Sequence, residues 1–191
     1  MAHEIIRSYK PIVERISNLP CANKIGETSS GYPLFQATLY RSVDALNVLI
    51  SGGVHGREPA GTYAVLQFLE RTAKEGRYPD FNFFAFPCVN PWGFERDIRE
   101  KEDGQDINRQ FFDGTAAREV KAIFTALERR KEEYIFSMDM HETSQRDDPD
   151  CGPLPMTYYL WELRASERQS KLGGLVINAV REAGYETCNW D

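Results

Sequence analysis

The stretch "ALNVLISGGVHGREPAGTYAVLQFLE", residues 45–70, joins an apolar run to an apolar helical pattern through a glycine-bearing turn. Residues 45–53 are apolar enough for a strand buried on both faces. Pro59 stands where a first helical position would fall, and Ala64, Val65, Phe68 and Leu69 continue at helical spacing. Between the two lie His55 and Glu58, flanked by Gly52, Gly53 and Gly56. An H-x-x-E pair in such a turn is either a metal-binding pair or an ordinary polar connection, with Glu58 an acid favoured by the helix dipole.

The rest of the chain extends the strand–helix alternation. An amphipathic helix, broken or restarted at Pro11, is expected over residues 4–18, with Ile5, Ile12, Val13 and Ile16 as its apolar positions. "GETSSGYPLF" (26–35) reads as a turn-rich hairpin connection leading into a strand in "PLFQATLYR". "FNFFAFPCVN" (81–90) is an aromatic-rich strand ended by Pro91, and "YIFSMDMHE" (134–142) is a further strand. The clearest helix is "TAAREVKAIFTALERRKEE" (115–133), with Thr115 as candidate cap and Val120, Ile123, Phe124 and Leu127 on one face. A last helix over about 161–183 places Leu172, Leu175, Val176 and Val180 on one side, weakened by Gly173 and Gly174. Such alternation predicts an α/β sheet covered on both faces, whose functional groups gather at strand ends.

Bulk properties narrow the class. A chain of 191 residues, 41% hydrophobic and 27% charged, is expected to form one globular domain over residues 1–191. A net charge of -6 argues against a nucleic-acid partner, which calls for a basic footprint. No secretory leader pattern opens the chain and no apolar run approaches a membrane span. Cys21, Cys88, Cys151 and Cys188 are widely separated, the spacing of reduced cytoplasmic thiols.

His141 also falls at a strand end, in "FSMDMHET". Two imidazoles and a carboxylate suit Zn²⁺, whose catalytic sites keep three protein ligands and one open position. Asp106 and Asp139 are candidates to orient the ligating histidines through their other ring nitrogens. The residues alone leave the metal reading and the ordinary-loop reading both open. "NPWGFERDIREKEDGQDINRQFF" (90–112) adds Arg96, Arg99, Asn108 and Arg109 in an irregular segment. Arginine's planar fork suits carboxylates and developing oxyanions, so arginines beside a zinc site suit hydrolysis of an acyl bond in a substrate with a free carboxylate.

"GGVHGREPAG", "NPWGFERDIR", "DINRQF" and "DMHET" occur in the order of motifs of the zinc carboxypeptidases. The chain resembles that carboxypeptidase A-like family and its succinylglutamate desuccinylase/aspartoacylase relatives, over roughly residues 30–145 and onward through "YYLWE" at 158–162. The resemblance implies a mixed, mostly parallel sheet sandwiched between helices. It implies one zinc ion on His55, Glu58 and His141, a substrate carboxylate on Asn108 and Arg109, and Arg99 polarising the scissile carbonyl, with Arg96 as the alternative. The function it implies is a zinc-dependent metallocarboxypeptidase-like hydrolase acting on a peptide. The alternatives are a deacylase acting on an N-acyl amino acid, and a non-catalytic metal- and carboxylate-binding relative. In the family a glutamate well beyond the last histidine ligand is the general base. Glu162, Glu182 and Glu186 offer no clear match, and the domain is expected to be incomplete at its C-terminal end.

Overall fold

The computed structural model describes residues 7–129, 133–142, 147–148, 152–153 and 172–185. The chain divides into two compact units, residues 1–142 and 143–191.

The first unit is built on a five-stranded sheet in the order β1-β2-β4-β3-β5. Its strands are β1 Ala22–Glu27, β2 Pro33–Leu39, β3 Leu46–Gly52, β4 Phe81–Phe86 and β5 Phe136–Met140. β2 runs antiparallel to both β1 and β4, whereas β3 runs parallel to β4 and to β5. Four strands therefore share one direction and β2 alone is reversed, a mixed sheet. Residues 26–35 correct the hairpin-connection expectation: β1 runs to Glu27, and only Thr28–Tyr32 make the turn, closed by Thr28 N–H donating to the Tyr32 carbonyl at 2.9 Å. Periodicity missed β1 because "ANKIGE" is a half-exposed edge strand with little apolar alternation.

Helices cover both faces. α1 (Lys10–Ser17) and α2 (Pro59–Glu75) close one core, where Ile12, Ile16, Val65, Leu66 and Leu69 meet Val48 and Ile50 of β3 and Phe83 and Ala85 of β4. α4 (Arg118–Glu128) closes the other, where Val120, Ile123 and Ala126 meet Phe86, with Ile25 and Leu49 packed alongside. Alternate residues of β3 and β4 thus enter opposite cores, the expected consequence of two buried faces. α1 begins at Lys10 with Pro11 in its first turn, where a missing N–H costs nothing. Thr115 is not the cap of α4. The helix starts at Arg118 with Ala117 as N-cap, and the buried Thr115 hydroxyl accepts from the Ala117 amide instead.

In the second unit Asp147–Asp148 (β6) pairs antiparallel with Gly152–Pro153 (β7), and α5 spans Leu172–Glu182. Leu175 is 64% exposed. The expected helical residues 161–171, the "YYLWE" segment, Cys151 and Cys188 lie outside the described residues.

Candidate metal centre

The parallel pairing of β3 with β5 brings the first two pieces of the site together. Gly52 and Met140 are register partners, so the chain leaves both strands at the same sheet edge and at the same level. Gly53 then turns with φ +65, where a Cβ would stand 2.3 Å from the Thr62 hydroxyl. Only glycine satisfies both the dihedral and the space. Two residues on, His55 is 3% exposed. Glu58 is the N-cap residue of α2 with Pro59 directly behind it, and His141 is the first residue past β5.

Three metal-competent side chains converge from these positions. The Nδ1 atoms of His55 and His141 are 3.1 Å apart, and each lies 2.8 Å from one oxygen of Glu58. A tetrahedral ion with bonds of about 2.0–2.1 Å separates its donors by about 3.3 Å, so the spacing fits such an ion with small adjustment. Two facing imidazole nitrogens repel when both present lone pairs, and a shared proton or metal ion removes that conflict. Both outward ring nitrogens are held by carboxylates: His55 Nε2 by Asp106 Oδ1 at 3.2 Å, and His141 Nε2 by Asp139 Oδ2 at 2.8 Å. With a metal ion bound, each contact would hold the tautomer that turns an Nδ1 lone pair inward. Asp139 is fixed in turn by the Ser51 hydroxyl at 2.7 Å, its register partner on β3.

Electrostatics favour a cation here. With neutral histidines, Glu58, Asp106 and Asp139 face one arginine, Arg99. Burial pushes the Glu58 carboxyl up, but hydrogen bonds from His141, His55 and the Glu142 amide outweigh it and hold it at about 2. Burial pushes the His141 imidazole down, while Asp139 and Glu58 more than reverse that and carry it to about 9. Asp106 follows the same balance: burial raises it, and the Asn108 amide, His55 and Arg99 bring it below the usual carboxylate range. A protonated His141 thus supplies the positive charge that the carboxylates call for.

Arg99 reaches this group from the loop that follows the short helix Pro91–Arg96. Its Nη1 donates to Glu58 Oε1 at 3.3 Å, and its Nε and Nη2 to Asp106 Oδ2 at 3.3 and 3.1 Å. Arg96 does not join it. Its guanidinium stacks 4.7 Å from the Trp92 ring and 5.7 Å from that of Tyr32, whose hydroxyl it also meets. Asn108 and Arg109 sit on a 3-10 turn, Ile107–Arg109, capped by Asp106, which accepts from the Asn108 amide at 2.8 Å. Among the described residues the exposed Arg109 guanidinium has no hydrogen-bond or ion-pair partner.

Sequence reasoning missed two residues that hold this arrangement. Asn90, fully buried, is the N-cap of α3 (Pro91–Arg96), and its side chain also donates to the Arg99 and Glu100 carbonyls at 3.2 and 3.0 Å. Asn followed by proline is a helix-start signature that could have found it. Glu142, next to His141, accepts from the Ala60 amide at 3.0 Å. Nothing in sequence signals a contact so remote. Of the late glutamates, Glu162 and Glu186 lie outside the described residues, and Glu182 is on α5 of the second unit.

A family model described as the succinylglutamate desuccinylase/aspartoacylase catalytic domain matches residues 44–149. No curated protein matches the chain. Among solved structures, a metallo-carboxypeptidase from Burkholderia cenocepacia is 22% identical, with a TM-score of 0.60 over 71% of this chain and 40% of its own. One from Pseudomonas aeruginosa, complexed with (2-guanidinoethylmercapto)succinic acid, is 20% identical, with a TM-score of 0.57 over 71% of this chain and 39% of its own. Bovine thrombin-activatable fibrinolysis inhibitor, complexed with tick carboxypeptidase inhibitor, is 23% identical, with a TM-score of 0.56 over 71% and 58%. These likenesses show a carboxypeptidase-type fold, and the chain spans about two-fifths of the length of the two bacterial proteins.

Proposed function

The chain belongs to the succinylglutamate desuccinylase/aspartoacylase catalytic-domain family, and we propose that it is a zinc-dependent hydrolase cleaving an amide bond in a substrate that carries a free carboxylate. The observation that carries this reading is the convergence of His55 Nδ1, His141 Nδ1 and both Glu58 oxygens, with each outward imidazole nitrogen on a carboxylate. His55, Glu58 and His141 would hold the ion. Bound there, zinc would supply Lewis acidity and a water whose pKa falls to about 7.

The chain's own residues divide the remaining work. Arg99, steadied by Asp106, would donate hydrogen bonds to the carbonyl oxygen as it gains negative charge. The Arg109 guanidinium, uncommitted among the described residues, and the neighbouring Asn108 side-chain amide would take the substrate carboxylate. Asp106 and Asp139 would keep the imidazoles oriented by accepting hydrogen bonds from their N–H groups.

Two substrate arms fit this chemistry. A C-terminal peptide bond is supported by the carboxypeptidase-type fold, and an N-acyl amino acid by the family model. The succinic acid derivative complexed with the Pseudomonas aeruginosa relative supports carboxylate recognition under either. The deciding experiment measures zinc content after purification without chelators, then release of C-terminal residues from peptides beside deacylation of N-acyl amino acids. Stoichiometric zinc is expected, with turnover of one class in a form of the protein that supplies the general base. Protein that takes up no zinc sinks the reading, and zinc with tight carboxylate binding but no turnover points instead to a binding relative.

A further inference from the structure

Helix α2 starts without a cap of its own. Glu58 occupies the N-cap position, yet its side chain accepts no hydrogen bond from the helix, and the first turn holds no acidic residue. Both Glu58 oxygens are committed elsewhere: Oε1 to His55 and Arg99, Oε2 to His141 and the Glu142 amide. A side-chain oxygen at an N-cap ordinarily turns back onto the second or third helical amide. For Glu58 that move would withdraw the carboxylate from the histidines.

The vacant duty is taken from another element. The Ala60 amide, second in the helix, donates at 3.0 Å to Oε2 of Glu142, 82 residues away at the end of β5. The Glu142 amide in return donates to Glu58 Oε2 at 3.2 Å. These two hydrogen bonds close a ring between the start of α2 and the end of β5. Glu58 is a member of that ring, and His141 adjoins Glu142 in the chain. The Glu142 carboxylate also brings to the α2 N-terminus the negative charge that its own first turn lacks.

We propose that Glu142 is a positioning residue: its carboxylate caps α2 from the adjacent strand end and thereby releases the Glu58 carboxylate to face His55 and His141. The effect on metal affinity rests on the zinc reading above, whereas the cap itself needs no metal. It also explains why an N-cap glutamate stays turned from its own helix.

The test uses the full 191-residue chain with Glu142→Ala, Glu142→Gln and Glu142→Asp. Glutamine keeps an acceptor oxygen at the same reach without the charge, and aspartate keeps the charge but withdraws the oxygen. Amide hydrogen exchange is read on metal-free protein, and zinc affinity by competition with a chelator. In the alanine and aspartate variants the Ala60 amide is expected to exchange about tenfold faster and zinc to bind roughly 10–100-fold more weakly. Glutamine is expected to keep both near the parent values. If the alanine variant fails to fold, the aspartate–glutamine contrast still decides. Unchanged Ala60 exchange in both alanine and aspartate variants overturns the proposal, and so does a glutamine variant as impaired as aspartate. Faster Ala60 exchange in a chain whose parent form binds no zinc leaves the cap standing and removes only the zinc reading.

Discussion

His141 Nδ1 stands 3.1 Å from His55 Nδ1, and both face the one carboxylate of Glu58. Two imidazoles from different strand ends meet this closely only where a proton or a metal ion mediates between them. His55→Ala and His141→Ala should therefore each weaken zinc binding by more than the roughly 10–100-fold that loss of an outer partner costs. Metal analysis with chelator competition measures this, and stoichiometric zinc retained in either variant would count against that histidine as a ligand.

The pH response of the metal-free chain follows from the same contacts. His141 is raised from 6.5 to about 9, so its protonated form stabilises the fold fully below about 6.5, and that contribution is lost as pH climbs through 9. Glu58 is lowered from 4.5 to about 2, so its contribution is present above about 4.5 and is lost as pH falls through 2. Melting temperature without metal should hence decline between pH 6.5 and 9, and His141→Ala should flatten that decline. Zinc must displace the His141 proton, so binding at pH 7 should release about one proton, read by calorimetry in buffers of different ionisation enthalpy.

Asp106 bridges His55 and Arg99, whereas Asp139 joins His141 to the Ser51 hydroxyl. Asp106→Asn and Asp139→Asn should each weaken zinc binding roughly 10–100-fold. At saturating zinc the two should part, because only Asp106→Asn also unseats Arg99. A larger loss of kcat in Asp106→Asn is expected, and equal losses would show that Arg99 does not depend on Asp106.

Arg99 and Arg109 should separate by kinetic parameter. Arg99→Ala removes the proposed donors to the developing charge and should lower kcat roughly 10²–10³-fold with zinc retained. Arg109→Ala removes the exposed guanidinium proposed to anchor the substrate carboxylate and should act mainly on KM. Steady-state kinetics on either substrate arm reads the split, and a kcat effect confined to Arg109 would reverse the assignment.

Gly56 packs directly on α3, where an added Cβ would lie 2.0 Å from the Gly93 carbonyl carbon. Gly56→Ala should destabilise the fold by about 3 kcal/mol, since backbone on both sides leaves no flexible group to yield. At 2–4 °C per kcal/mol for this chain length, melting should drop by roughly 6–12 °C. A change within about 2 °C, the effect of an ordinary surface substitution, would show that the Gly56 turn and α3 move apart readily.

Much of this fold was legible in residue pattern. β3 and α2 announce themselves through a continuous apolar run, Pro59 and helical spacing, and β4 through its aromatic density. β1 was hidden because edge strands carry weak alternation, and the α4 cap was misplaced because Thr115 hydrogen-bonds locally without starting the helix. His55, Glu58, His141, Asp106 and Asp139 were nameable because their residue types and strand-end positions restrict the chemistry they suit.

The amino-acid sequence by itself determined the strand–turn–helix units, the apolar faces and the identity of the donor atoms, since each depends on side chains within a few residues. Tertiary structure alone decided which donors meet. The parallel register that sets Gly52 beside Met140 carries His141 to His55 across the sheet, and the loop held by Asn90 brings in Arg99 while Arg96 stays stacked on Trp92. The capping of α2 by Glu142 belongs to that second class as well. A hydrogen bond between strand end and helix start depends on sheet register, a collective property that no local run of residues contains.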